Sequence, residues 1–220
     1  MKLTIKKELQ DKLPLFNVIA YTMDVDNLIT DKVTILLNDT IEKYQNICDL
    51  KDIVNYGKIK TARDGYKKLG KDPSHTRLAC EALIRRVIKN KSLYRINDLV
   101  DLGNILSIMT QRSICVVDKD KVVGDVAIRI GTKEDIYETI NRGILNVENI
   151  PLYTDDISFF GNPTSDTPRT MITENTKSIL VMMICFDDIE LEQDRKLLLD
   201  LYKNYANAEN IKEVQHGREF

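Results

Sequence analysis

Between Gly161 and Thr170 the chain reads Gly-Asn-Pro-Thr-Ser-Asp-Thr-Pro-Arg-Thr, a run dense in groups able to do chemistry. Hydrolysis needs a positioned water, a place for its proton, and donors facing the oxygen that becomes negative. Backbone N–H groups near Gly161 and Asn162, the hydroxyls of Thr164 and Ser165, and the carboxylate of Asp166 are candidates for those tasks. Arg169 offers a planar fork suited to a phosphate or a carboxylate. A second pair, Asp101 and Asn104, is three residues apart in a segment of helical spacing, so both lie on one face and can share one pocket. The same residues have a structural reading. Ser165 and Asp166 can cap a turn, Arg169 can pair with Asp166, and Asp101 and Asn104 can satisfy backbone groups. On residue types alone both readings stand.

Other chemistries find less support. Of the two histidines, His75 falls in the first turn of an expected helix and His216 in the polar tail. Neither is placed by sequence beside a Ser or Cys nucleophile. The four cysteines (Cys48, Cys80, Cys115, Cys185) form no CxxC pair, and the carboxylates form no recognisable metal set, so neither a zinc site nor a redox motif is indicated. Cys115, inside the apolar Ile114–Val117 run, reads as a small core residue.

Charge is unevenly spread. The net value is −2, yet from Lys58 through Asn97 twelve Lys/Arg face three acids, while from Asp187 onward nine acids outnumber five bases. Arg63, Lys67, Lys68, Arg77, Arg85, Arg86 and Lys89 cluster around one helix, and such a set can neutralise several phosphates at once. The competing reading is a solvated face, because Glu81 follows Arg77 and precedes Arg85 by four residues each, the spacing of helical ion pairs.

Positioning these groups falls to elements that the periodicity predicts. Leu15–Met23 alternates as a strand, and Asp31–Leu50 repeats as an amphipathic helix. A helix is expected after Pro73 with Ser74 as N-cap, and another over Asp98–Ser107 capped by Asn97. Ile114–Val117, Val122–Ile130 and Ile179–Phe186 are β-branched strands. Ile136–Gly143 reads as a short helix or an insertion, and Pro151–Pro168 as a loop. A final helix over about 188–205 precedes a tail expected to fray. Helices before residue 110 and strands after it point to an α+β protein of layered helices and β-sheets, expected as a single domain over 1–220. Hydrophobic residues at 43% and charged residues at 30% suit a folded, soluble protein. The N-terminus lacks the apolar core of a secretory signal, and no run is long enough to span a membrane. Reduced thiols in the cytoplasm are therefore expected.

The run from Arg63 to Ser107 is more specific than its charge. It contains Arg63-x-x-Tyr66-x-x-x-Gly70-x-x-Pro73-Ser74-x-x-Arg77, then Glu81-Ala82-Leu83-x-Arg85-Arg86, then Ile96-Asn97-x-x-Val100-Asp101-x-x-Asn104. With the Gly161–Thr170 segment, this resembles the B3/4 domain of the phenylalanyl-tRNA synthetase β subunit, which removes wrongly attached tyrosine. It resembles still more the free-standing B3/4 proteins of bacteria. The resemblance is good over about 60–186 and loose at the ends. It implies a layered fold with a central editing pocket, an aminoacyl-tRNA as partner, hydrolysis of the ester between amino acid and ribose, and no metal or organic cofactor. Position by position, the family's Thr-Asn pair falls on Gly103 and Asn104, its pocket histidine on Cys115, and the glutamate that reads the tyrosine hydroxyl on Met182. Methionine cannot accept that hydroxyl, so specificity for tyrosine does not carry over. Three functions follow as expectations: editing of mischarged tRNA in trans, tRNA or RNA binding without catalysis, and regulatory binding of a free amino acid.

Overall fold

The computed structural model describes residues 1–89, 93–140 and 143–218. Two β-sheets and a set of helices share the core. In the first sheet β2 (Asn17–Asp24) lies beside β9 (Ser178–Cys185), which lies beside β3 (Ser113–Asp118), all antiparallel, with β10 (Glu209–Glu213) on the outer edge of β2. The second has the order β11-β1-β4-β7-β8, formed by His216–Arg218, Leu3–Ile5, Val126–Ile130, Pro151–Thr154 and Phe159–Gly161. β5 (Ile136–Thr139) and β6 (Gly143–Asn146) pair separately as a hairpin.

Strand alternation sorts the first sheet into two faces. Val18, Ala20, Cys115, Val117, Leu180, Met182 and Ile184 face one core, shared with Ile128, Tyr153 and Phe160 of the second sheet. Ile19, Tyr21, Val181 and Met183 face the opposite way. That second face is covered by α2 (Asp31–Tyr44), α5 (Asp98–Thr110) and α6 (Leu191–Ala206) through Leu37, Leu102, Ile105, Leu198 and Tyr202. A third cluster joins α3 (Gly57–Leu69) and α4 (Ala79–Ile88) to Tyr137 and Leu152. A short α1 (Lys7–Lys12) adds Leu9 to the first core. The architecture is α+β, as expected.

Local signals account for several boundaries. Asn97 caps α5 by accepting from the Val100 N–H at 2.9 Å. α3 ends at Gly70, whose φ of 97° suits a residue without Cβ. Other boundaries differ from expectation. Ser74 does not cap a helix, because α4 begins at Ala79 and the preceding residues form a turn held by Asp72, which accepts from the Ser74 N–H at 2.8 Å. Pro151–Pro168 is not all loop, since it holds β7 and β8. Ile136–Gly143 is not a helix but an insertion, since β5 occupies its first four residues, β6 begins at Gly143, and this separate hairpin lies in sequence between the paired strands β4 and β7; residues 141–142 lie outside the described residues. The tail after α6 pairs as β10 and β11 instead of fraying, because the open edges of both sheets supply the partners its polar sequence does not advertise.

Candidate functional site

The Gly161–Thr167 segment leaves β8 as a tight loop whose shape begins with Asn162. Its Oδ1 accepts from the N–H groups of Thr164 (2.8 Å) and Ser165 (3.1 Å), an Asx-type turn of the kind this residue favours. Four surrounding elements then hold the loop. From α3, Tyr66 shares a hydrogen bond with Thr164 Oγ1 at 3.0 Å. From the start of α4, the Ala79 N–H donates to Pro163 O at 2.8 Å, and Ser113 Oγ of β3 donates to the same oxygen at 2.8 Å. From β5, the Tyr137 hydroxyl donates to Ser165 O at 2.6 Å.

Inside the loop, Gly161 permits a close approach. A Cβ there would stand 2.7 Å from Asp166 Oδ1 and 2.7 Å from Cδ2 of the Tyr153 ring. The Asp166 carboxyl therefore lies over the backbone at Gly161, beside Tyr153. The Cys115 thiol interacts with it, and Cys115 pairs across the strands with Met182. Burial raises the Asp166 carboxyl to about 7, the Cys115 thiol pulling weakly the other way. It is thus near half-ionised at neutral pH, the range in which a carboxylate can both take and return a proton. Burial also raises Cys115 well above an ordinary thiol, with Asp166 adding to the effect, so the thiol stays protonated and is no nucleophile. Tyr66, Tyr137 and Tyr153 are fully buried, and burial raises all three phenols. Two of them anchor the loop. The third, Tyr153, has a buried hydroxyl with no hydrogen-bond partner among the described residues, as does the buried Asn162 Nδ2. Thr164, Ser165 and Asp166 are half-buried, and the cluster meets solvent there.

The fold thus brings together Cys115, Gly161, Asn162, Thr164, Ser165, Asp166 and Met182. It does not bring Asp101, Gly103 and Asn104 to them. Those three ride on α5, on the opposite face of the β2-β9-β3 sheet. A Cβ on Gly103 would sit 2.6 Å from Val116 Cγ2, so this glycine lets α5 lie close on β3. Asp101 is buried, accepts from the Ile96 N–H and pairs with Arg95 NH1. Burial raises its carboxyl, against the pull of Ile96 N–H and Arg95. These contacts hold the entry to α5. Asn104 is half-buried on that helix. Arg169 does not pair with Asp166. It donates to Asp155 Oδ1 at 2.9 Å and to the carbonyls of Lys121 and Ser158, fastening the loops behind β4 and β7.

The basic cluster is partly internal. Glu81 is fully buried and accepts from Arg63 NH1 at 2.7 Å and Arg85 Nε at 2.8 Å, with Arg77 Nε at 3.5 Å. Arg63 is itself buried, so it leaves the solvent-facing set. Lys67, Lys68, Arg77 and Lys89 remain exposed, Lys67 beside Asp64 at 3.3 Å. Arg86 lies 5.4 Å over the ring of Tyr94, which is 75% exposed. The residues missed by sequence reasoning are Ser113, Tyr137 and Tyr153. Each sits in a strand, two of them in strands that the sequence did not show, and no spacing indicates a shared loop.

Among the described residues no group of His, Cys, Asp and Glu can hold a metal ion, and no helix is long and apolar enough to cross a membrane. No curated protein matches the chain. Among solved structures, an N-terminal fragment of the phenylalanyl-tRNA synthetase β-subunit from Pyrococcus horikoshii superposes with a TM-score of 0.56 at 9% identity. The match covers 99% of this chain and 52% of that one, so the chain spans about half of the fragment and shares its fold. A family model, the B3/4 domain, matches residues 61–204, which take in the loop, both flanking strands and the basic helices. The chain belongs to the B3/4 domain family.

Proposed function

We propose that this protein hydrolyses the ester of a mischarged aminoacyl-tRNA in trans, with Asp166 as the group that takes the proton of the attacking water. The observation carrying this reading is a carboxyl raised to about 7 in the rigid 161–167 loop of a B3/4 fold. Substrate reaches it from the half-buried Thr164–Asp166 side, with Lys67, Lys68, Arg77 and Lys89 available to the phosphates of the acceptor stem. Met182 and Cys115 line the inner wall, which suits a less polar amino acid than tyrosine.

The test is deacylation of a panel of correctly and incorrectly charged tRNAs by the pure protein. Release from one mischarged species, lost in Asp166→Asn and kept in Asn104→Ala, is expected. Release that depends on Asn104 instead would move the site to α5. Salt-dependent tRNA binding without release from any species would leave a binding module and refute the hydrolase.

A further inference from the structure

The three buried tyrosines of the site are not equivalent. Tyr66 and Tyr137 spend their hydroxyls on Thr164 and on Ser165 O. Tyr153 is equally buried, lies in β7 between two neighbouring strands, and packs its ring against Phe160 at 6.2 Å. Its hydroxyl nevertheless has no hydrogen-bond partner among the described residues. Packing alone would be served as well by phenylalanine, and an unpartnered buried hydroxyl costs stability. Asn162 repeats the pattern. Its Oδ1 is engaged twice within the loop, which fixes the amide and leaves Nδ2, on the side of Tyr137, as a second buried donor with no acceptor at hydrogen-bond distance among the described residues. Tyr153 interacts electrostatically with both Asp166 and Cys115, and Gly161 keeps its ring beside the Asp166 carboxyl. One unused donor in the loop that carries Asp166 and one on the ring beside its carboxyl are groups of the kind that an acyl-transfer oxyanion draws on.

We infer that the Tyr153 hydroxyl and the Asn162 amide receive the carbonyl oxygen of the substrate ester, making both catalytic residues of the reaction proposed above, on which this inference rests. Water oxygen bonds to the carbonyl carbon while Asp166 takes a water proton. The carbonyl π pair moves onto oxygen, and that oxyanion is held by Tyr153 and Asn162. Its collapse restores the C=O bond and breaks the bond to the ribose oxygen, which takes the proton from Asp166. Free amino acid and uncharged tRNA leave.

The decisive variants are Tyr153→Phe, which removes only the hydroxyl, and Asn162→Asp, which keeps the loop-forming Oδ1 and removes the amide donor. Two readouts are compared with wild type: single-turnover deacylation, and thermal stabilisation by 3′-aminoacylamino-3′-deoxyadenosine, an amide analogue of the charged tRNA end. Tyr153→Phe is expected to slow deacylation by about 100-fold, to weaken stabilisation by the analogue, and to leave the Tm of the free protein unchanged or higher. Rate and analogue response both equal to wild type would overturn the inference, as would a fall in Tm large enough to account for the lost rate. A wild-type protein that hydrolyses no charged tRNA would refute the parent reading, and this one with it, even if it responded to the analogue. A wild type that hydrolyses a charged tRNA while Tyr153→Phe changes neither readout would refute this inference alone.

Discussion

Asp166 titrates near 3.8 in an unfolded chain and about 7 in the folded one, because burial disfavours its charged form. The folded protein therefore binds more protons than the unfolded chain between about pH 4 and pH 7, and stability falls as pH rises through that window. Below it both states are protonated, and above it both are ionised with the penalty complete. Melting curves across this range should show the fall in wild type and a flatter profile in Asp166→Asn, whose Tm at pH 8 should exceed wild type. The same titration gives the rate its shape. A base that works only when ionised makes single-turnover deacylation rise with pH and level off above about 7. Gly161 sits at the same scale. Replacing it by Ala puts a methyl 2.7 Å from both Asp166 Oδ1 and the Tyr153 ring, and should cost about 1–3 kcal/mol in urea unfolding.

Elements matter through two contacts that single residues make possible. Helix α5 lies on β3 only because Gly103 offers no side chain toward Val116. Gly103→Thr, which restores the residue implied by resemblance to the synthetase, should cost about 1–3 kcal/mol or more and bring no gain in deacylation. Helices α3 and α4 are fastened by Glu81, a fully buried carboxylate between Arg63 and Arg85. Glu81→Leu leaves the Arg63 guanidinium buried without its carboxylate, and should cost about 3–5 kcal/mol by urea titration. The double variant Arg63→Met with Glu81→Leu should recover much of that loss, since no buried charge then remains unpaired.

At the scale of the molecule, a net charge of −2 coexists with a basic edge formed by Lys67, Lys68, Arg77 and Lys89. Each phosphate neutralised adds roughly −0.7 to −0.9 to the slope of log affinity against log salt. Filter binding of tRNA at several salt concentrations should therefore show a shallower slope for a Lys67→Ala, Lys68→Ala, Lys89→Ala triple variant. An unchanged slope would place the RNA elsewhere.

Much of this was legible in the chain. Periodicity located β2, α2, α5, β3, β9 and α6, because each buries one face and carries the matching repeat. The order of motifs pointed to the B3/4 family and its α+β layers, and residue types marked the 161–170 segment as a candidate for chemistry, which is the role proposed for it. Strands β7 and β8 were hidden by turn-forming residues, and β10 and β11 by a polar composition that only a waiting sheet edge turns into strand. The site was legible where its members are neighbours in sequence. Which face of the sheet each residue joined was not, because side chains one position apart on a strand enter different cores. The resemblance put Asn104 and Cys115 in one pocket, and the sheet sets them on opposite sides. Only the tertiary structure brought Tyr66, Ser113, Tyr137 and Tyr153 to one loop, since hydrogen bonds between residues so far apart in the chain exist only once the strands and helices have packed.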